Sequence, residues 1–273
     1  MTALDDVGFD ELARVITEGV GIGLDSYKDR CLRRRIAVRM RACGVHTYRD
    51  YAAHLAATPD EFDRLRDALT INVTRFYRNP ETWDYLRREV LPGLMARSGG
   101  RLRVWSAGCA SGEEPYTLAM LLAEAAAAVG HPEWFSGVRI DATDVDRASL
   151  ERTRGARYPA EALVDLPGPL LERWCRRDGA GWIVGEPLRA AVSVHTVDLG
   201  RDPPPAEKYD LICCRNVVIY FSRDVQERLF GRFTDALAPG GYLVLGKVET
   251  LVGVARERLK LLEPRERVYQ RPA

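Results

Sequence analysis

Apolar residues recur every three or four places through the first ninety positions. Phe9, Leu12, Ala13 and Ile16 make one helical stripe, and Leu32, Ile36, Met40 and Cys43 make a second. The second helix is expected to follow Asp25-Ser26 and to stop near Gly44. Thr47–Ala57 and Asp60–Ala68 read as two more, the latter opened by Thr58-Pro59-Asp60 with a proline at the helix start. Another is expected from about Glu81 to Leu91.

After Arg101 the period changes, and short apolar runs alternate with helical stretches. Leu102–Ser106, Val138–Thr143, Val192–Val197, Tyr209–Cys214 and Gly240–Leu245 read as strands. Glu114–Ala128, Arg147–Thr153 and Arg223–Leu237 read as helices between them. Leu259–Leu262 and Arg267–Gln270, separated by Pro264, are expected to close the sheet as an antiparallel hairpin. This alternation predicts an α/β fold: a mostly parallel, Rossmann-like sheet covered on both faces. Where the alternation lapses, Trp182–Val184 and Leu188–Val194 are expected to form a small antiparallel appendage within about residues 175–195. The expected division is an all-α domain over residues 1–90 and an α/β domain over 91–273.

Composition narrows the class. The 273 residues are 46% hydrophobic and 29% charged with a net charge of +1, so no global field favours nucleic acid or membrane. The six cysteines include no Cys-x-x-Cys pair and the four histidines are scattered, which reads as free thiols, a cytoplasmic setting and no metal site. The first residues do not read as a signal peptide, and no apolar run has the length of a membrane span. Charge is local instead. Lys28–Arg41 holds seven basic residues and one acidic, a net +6 (7 − 1), and suggests a docking surface for an acidic partner.

The candidate chemistry lies at the ends of the expected strands, where ligands bind in open α/β sheets. Trp105-Ser-Ala-Gly-Cys-Ala-Ser-Gly-Glu-Glu-Pro-Tyr116 reads as a strand, a glycine turn and a helix. Gly108 would let backbone approach a ligand. Glu113 and Glu114 would repel a pyrophosphate and favour a cationic, amino-acid-bearing cofactor such as S-adenosylmethionine, so the turn suggests methyl transfer over hydride transfer. Asp144 is assigned to ribose hydroxyls and Asp146 to the cap of the following helix. Asp198 is a candidate for an adenine amino group. Asn216 and Tyr220 are the polar members of an apolar run at the fourth strand's end. Asn72, Thr74 and Arg78 alternate with apolar residues in a segment suited to cover a cofactor.

Together these segments resemble the CheR family of chemotaxis-receptor methyltransferases, over nearly the whole chain. Asn72-Val-Thr-Arg-Phe-Tyr-Arg78 is similar to the family's Asn-x-Thr-x-Phe-Phe-Arg segment, and Ser106–Tyr116 is similar to its first cofactor motif. Ala142–Asp146, Cys214–Phe221 and Pro239–Leu243 correspond in order. The resemblance implies an S-adenosylmethionine-dependent enzyme that esterifies receptor glutamates and releases S-adenosylhomocysteine. It implies cofactor contacts at Asn72, Thr74, Arg78, Glu114, Asp144, Asp198, Leu199, Arg215 and Asn216, with Arg78 and Tyr220 beside the reacting centre. It further implies that Arg30, Arg33, Arg34, Arg39 and Arg41 meet the acidic helical methylation region of a cytoplasmic chemoreceptor, with recruitment to membrane receptor arrays. A monomer is expected. Where the family often reads Gly-His-Ser-Glu, this chain reads Gly246-Lys-Val-Glu249.

Two other readings compete. A nucleic-acid methyltransferase would use the basic helix, but the Asn/Asp-Pro-Pro-Tyr/Phe motif of amino-methylating DNA enzymes is replaced by Arg215-Asn-Val-Val. A catalytically silent receptor adaptor would have less need of Glu114, Asp144, Asn216 and Tyr220.

Overall fold

Helical spacing in the first seventy residues becomes four helices: α1 (Ala3–Val20), α2 (Asp29–Ala42), α3 (Tyr48–Ala57) and α4 (Asp60–Leu69). The computed structural model describes residues 3–20, 23–70 and 73–273, with side chains from residue 8 onward. These helices, joined by residues 220–225, form one of two units. Its core is Leu12, Ile16, Ile36, Tyr51, Leu55 and Leu65, all fully buried. The segment 220–225 enters by backbone: Tyr27 bridges Phe221, and the Ser222 N–H donates to the Ser26 carbonyl at 3.0 Å.

The second unit comprises residues 73–219 and 226–273, so the division falls at residue 72 and not near 90. The physical reason lies in α5 (Pro80–Tyr85) and α6 (Leu91–Ser98), whose Trp83, Leu86, Leu91, Leu94 and Met95 share a core with Val104, Leu118 and Leu122. A π-helical turn, Leu86–Val90, joins the two helices and carries the chain past Pro92. The helix expected to end at Leu91 therefore continues to Ser98.

Next come β1 (Arg103–Ala107), α7 (Glu113–Ala128), β2 (Arg139–Asp144), α8 (Arg147–Gly155), β3 (Arg157–Tyr158), α9 (Gly168–Trp174), β4 (Cys175–Asp178) and β5 (Gly181–Val184). After these follow α10 (Glu186–Ala191), β6 (Val192–Thr196), β7 (Tyr209–Cys214), α11 (Arg223–Ala236), β8 (Leu237–Leu245), α12 (Ala255–Arg258), β9 (Lys260–Glu263) and β10 (Val268–Gln270). The main sheet runs β6-β2-β1-β7-β8-β10-β9. The first five strands are parallel, and β10 inserts antiparallel between β8 and β9. Helix α7 is apolar on nearly every side and buried accordingly. The appendage differs from expectation. It is the antiparallel sheet β3-β5-β4, while Glu186–Ala191 is helical and Val192–Thr196 is the edge of the main sheet.

Candidate active site

The parallel strands end together at one edge, and the turn after β1 occupies its centre. The N–H groups of Gly108 and Cys109 donate to the Thr143 carbonyl at 2.8 and 2.9 Å, which ties the turn to the end of β2. Gly108 has φ +81°, and a Cβ there would stand 2.5 Å from the Val217 side chain. Only glycine meets both conditions.

The two acidic residues that open α7 part company. Glu113 is buried, and its carboxylate takes the Ser111 hydroxyl at 2.9–3.0 Å and the Thr74 hydroxyl. Glu114 accepts from the Ser106 hydroxyl at 2.8 Å and meets Arg215 at 3.4 Å. Burial raises both carboxyls above their ordinary value. Arg215 and Ser106 pull Glu114 back only in part. The pair expected to act together therefore separates, Glu113 anchoring Thr74 and Glu114 facing a cation.

That cation is itself buried: the Arg215 side chain is 3% exposed. Its guanidinium donates to the Arg78 carbonyl at 2.7 Å and to Asn79 Oδ1 at 3.2 Å, and it lies 4.6 Å from the centre of the Trp83 ring. Its Nε has no acceptor among the described residues. The Arg78 guanidinium donates to the Val73 carbonyl at 2.7 Å. Asp144 accepts the Ala110 N–H at 2.9 Å and the Asp146 N–H at 3.0 Å, and burial raises its carboxyl. Asp146 caps α8 through the Ala148 N–H at 3.0 Å, as its sequence position suggested.

On the β6 side, the Val197 N–H donates to the Asp144 carbonyl at 3.0 Å and leads into the loop of Asp198 and Leu199. Asp198 accepts the Gly200 N–H at 2.8 Å, and Arg232 donates to the Leu199 carbonyl at 2.6 Å. On the β8 side, Asn216 is left-handed at φ +61°. Its N–H donates to Glu249 at 2.9 Å, and Glu249 also accepts from Gly246 at 2.6 Å.

Each unit of the chain matches a known family description. The description "CheR methyltransferase, SAM binding domain" matches residues 72–267, and "CheR methyltransferase, all-alpha domain" matches residues 8–70. The chain belongs to the CheR methyltransferase family. It is similar to a chemotaxis protein methyltransferase of Listeria innocua, 33% identical over 89% of each chain. Chemotaxis protein methyltransferase 1 of Pseudomonas aeruginosa is 34% identical, over 88% of this chain and 89% of that one. An uncharacterized 104.1 kDa protein of Rhodobacter capsulatus is 36% identical over 89% of this chain, which spans 25% of that protein. The CheR chain is thus an S-adenosylmethionine-dependent methyltransferase.

Its residues fit that cofactor on chemical grounds. Glu114 presents an anion suited to an ammonium, and the unpartnered Nε of Arg215 lacks an acceptor of the kind a carboxylate supplies. Asp144 spends three of about four acceptor positions on the backbone N–H groups of Ala110, Val145 and Asp146, which leaves room for a hydroxyl.

Of the site residues named from sequence, Arg78, Glu114 and Arg215 stand in one cluster, and Thr74, Gly108, Asp144 and Asn216 adjoin it through the contacts above. Asp198 and Leu199 lie on the next loop. Asn72 lies outside the described residues. Tyr220 groups with the helical unit, where the Arg35 guanidinium is 4.7 Å from the centre of its ring. Of the arginines expected from sequence to dock a receptor, Arg30, Arg34 and Arg41 are exposed. Arg33 pairs with Asp29 at 2.8 Å and covers Phe9 at 3.8 Å, and Arg39 forks onto the buried Glu61 at 2.9 and 2.7 Å. Arg39 is half-buried and spends its fork on Glu61. Glu61 also accepts from Tyr51 at 2.8 Å. Cys43 and His54 bring potential ligand atoms within 4.8 Å of it, yet its oxygens are already engaged.

Ser106, Trp83, Arg232 and Glu249 escaped the sequence reading. Ser106 was visible as a polar residue in an apolar strand. Glu249 stood in a noticed loop but had no role there. Nothing along the chain marks Trp83 or Arg232, whose partners are distant in sequence.

Proposed function

We propose that this enzyme methylates the ionised side-chain carboxylates of specific glutamates on chemoreceptors, giving methyl esters and S-adenosylhomocysteine. The carrying observation is the buried Glu114–Arg215 pair at the β1 turn of a chain whose two units match the two CheR descriptions. The cofactor supplies an electrophilic methyl group on a sulfonium. The acceptor glutamate has a reference pKa of about 4.3, so at pH 7 its oxygen attacks without a general base. The cofactor would give up its methyl group to that oxygen, with the sulfur keeping the S–CH3 bonding pair. Opposite charges are lost along the way, so a site poor in water would favour the step.

In this reading Glu114 holds the ammonium, Arg215 the cofactor carboxylate and Asp144 the ribose. Arg78 positions the acceptor through a loose contact, because tight binding would stabilise the ground state. Thr74, Asp198, Leu199 and Asn216 complete the binding wall. Arg30, Arg34 and Arg41 give the helical unit a basic face for an acidic helical receptor region at membrane arrays, with the enzyme acting as a monomer. Among the described residues no helix is long and apolar enough to cross a membrane.

The test is transfer of a radiolabelled methyl group to receptor cytoplasmic fragments. The expected product is labile to base, as an ester is, and is lost when the receptor glutamates become alanine. Label that enters DNA or RNA instead, or survives base, would refute the proposal.

A further inference from the structure

One buried acid at the sheet edge takes no part in the chemistry above. Glu249 is 2% exposed, and its partners among the described residues are backbone N–H groups, with no ion pair. Its carboxylate accepts from Gly246 at 2.6 Å, Asn216 at 2.9 Å, Ile219 at 3.4 Å, and Val217. These donors come from two loops that leave neighbouring strands, since Cys214 and Leu245 pair at the ends of β7 and β8. Only an acceptor without hydrogens satisfies such a set.

The approach is too close for any residue but glycine at 246. A Cβ there would stand 2.7 Å from the Glu249 carboxylate, 2.8 Å from the Asn216 nitrogen and 2.9 Å from its side-chain amide. The gripped turn also carries Asn216 at φ +61°, a left-handed conformation that most L residues avoid. The residue before it is Arg215, whose guanidinium meets Glu114 and the Arg78 carbonyl. Burial drives the Glu249 carboxyl up, and the N–H groups offset this only in part. An acceptor held in place by four backbone donors fixes the pose of the turn.

We infer that Glu249 is a positioning residue: its carboxylate locks the Asn216–Ile219 turn to Gly246 and so sets cofactor affinity without touching the cofactor. This rests on the reading of the Arg215–Asn216 turn as part of the cofactor wall. The test uses the full chain with Glu249→Gln, which sets an NH2 against backbone donors, and Gly246→Ala, which crowds the same contact from the other side. Calorimetry with S-adenosylhomocysteine and steady-state kinetics are run on both, with folding followed by circular dichroism.

The expected result is a loss of about tenfold in affinity for S-adenosylhomocysteine and a matching rise in KM for the methyl donor. The KM for receptor should stay unchanged. A merely structural carboxylate would lower the active fraction, and hence apparent kcat, at unaltered affinity. That outcome, or global unfolding of both variants, overturns the inference. Failure of the parent chain to bind S-adenosylhomocysteine would instead overturn the cofactor reading on which the inference rests.

Discussion

At the scale of single residues, the site works by burying charge. Glu114, Asp144 and Glu113 all have carboxyls raised by burial. A raised folded-state value means that ionisation costs the free protein stability as pH climbs through that value. A bound ammonium reverses the preference at Glu114. Affinity for S-adenosylhomocysteine should therefore rise with pH from the ordinary carboxyl range upward, until Glu114 is fully ionised. Glu114→Gln should flatten that profile and weaken binding by roughly tenfold or more, read by titration calorimetry across pH. An unchanged slope would remove Glu114 from the ammonium site. Much of this was legible along the chain, because the polar residues at strand ends are few and stand out. The divergence of Glu113 from Glu114 was not, since adjacent helical residues point about 100° apart and only their neighbours decide which faces the ligand.

Elements were legible where period and length agreed. Helix α7 and strands β1, β2 and β7 follow from apolar runs alone. The small sheet was not, because β3 has two residues and β4 reads Cys-Arg-Arg-Asp. The continuation past Pro92 was hidden as well: a proline normally stops a regular helix, and the π turn before it relieves the clash. Helix α2 shows how a charge run overstates a surface. Arg39 is committed to Glu61, so the triple variant R30E/R34E/R41E should raise KM for receptor while leaving S-adenosylhomocysteine affinity unchanged. Glu61→Ala, by contrast, should destabilise the helical unit by roughly 3 kcal/mol, because it leaves a largely buried guanidinium without its anion. Burial alone would raise the Glu61 carboxyl, but hydrogen bonds from Arg39, Tyr51 and Cys43 outweigh it and hold it below 4.5. Its contribution is therefore present above that value and is lost as pH falls through the lowered one. An acid melting series should show this loss in the parent and not in Glu61→Gln.

At the scale of the whole molecule, the order β6-β2-β1-β7-β8-β10-β9 gathers the ends of five parallel strands at one edge. No local pattern specifies that order. It comes from strand–helix alternation together with the right-handed crossovers such units adopt. Ligand binding should therefore stabilise the larger unit as a body. S-adenosylhomocysteine at about 100 times its Kd should add about 2.7 kcal/mol and raise Tm by roughly 5–10 °C, read by differential scanning fluorimetry. A Tm that does not move would mean that the edge holds no such ligand.

Arg215 draws its partners from positions 101, 136 and 137 residues away. A nascent chain that has not yet delivered residue 215 has Glu114 but no guanidinium to balance it, and the Arg78 carbonyl lacks one of its buried donors. If Arg215 and Glu114 hold the cofactor as proposed, its capture waits for the finished sheet. Uptake of the donor during synthesis would mark completion of this unit and could not precede it.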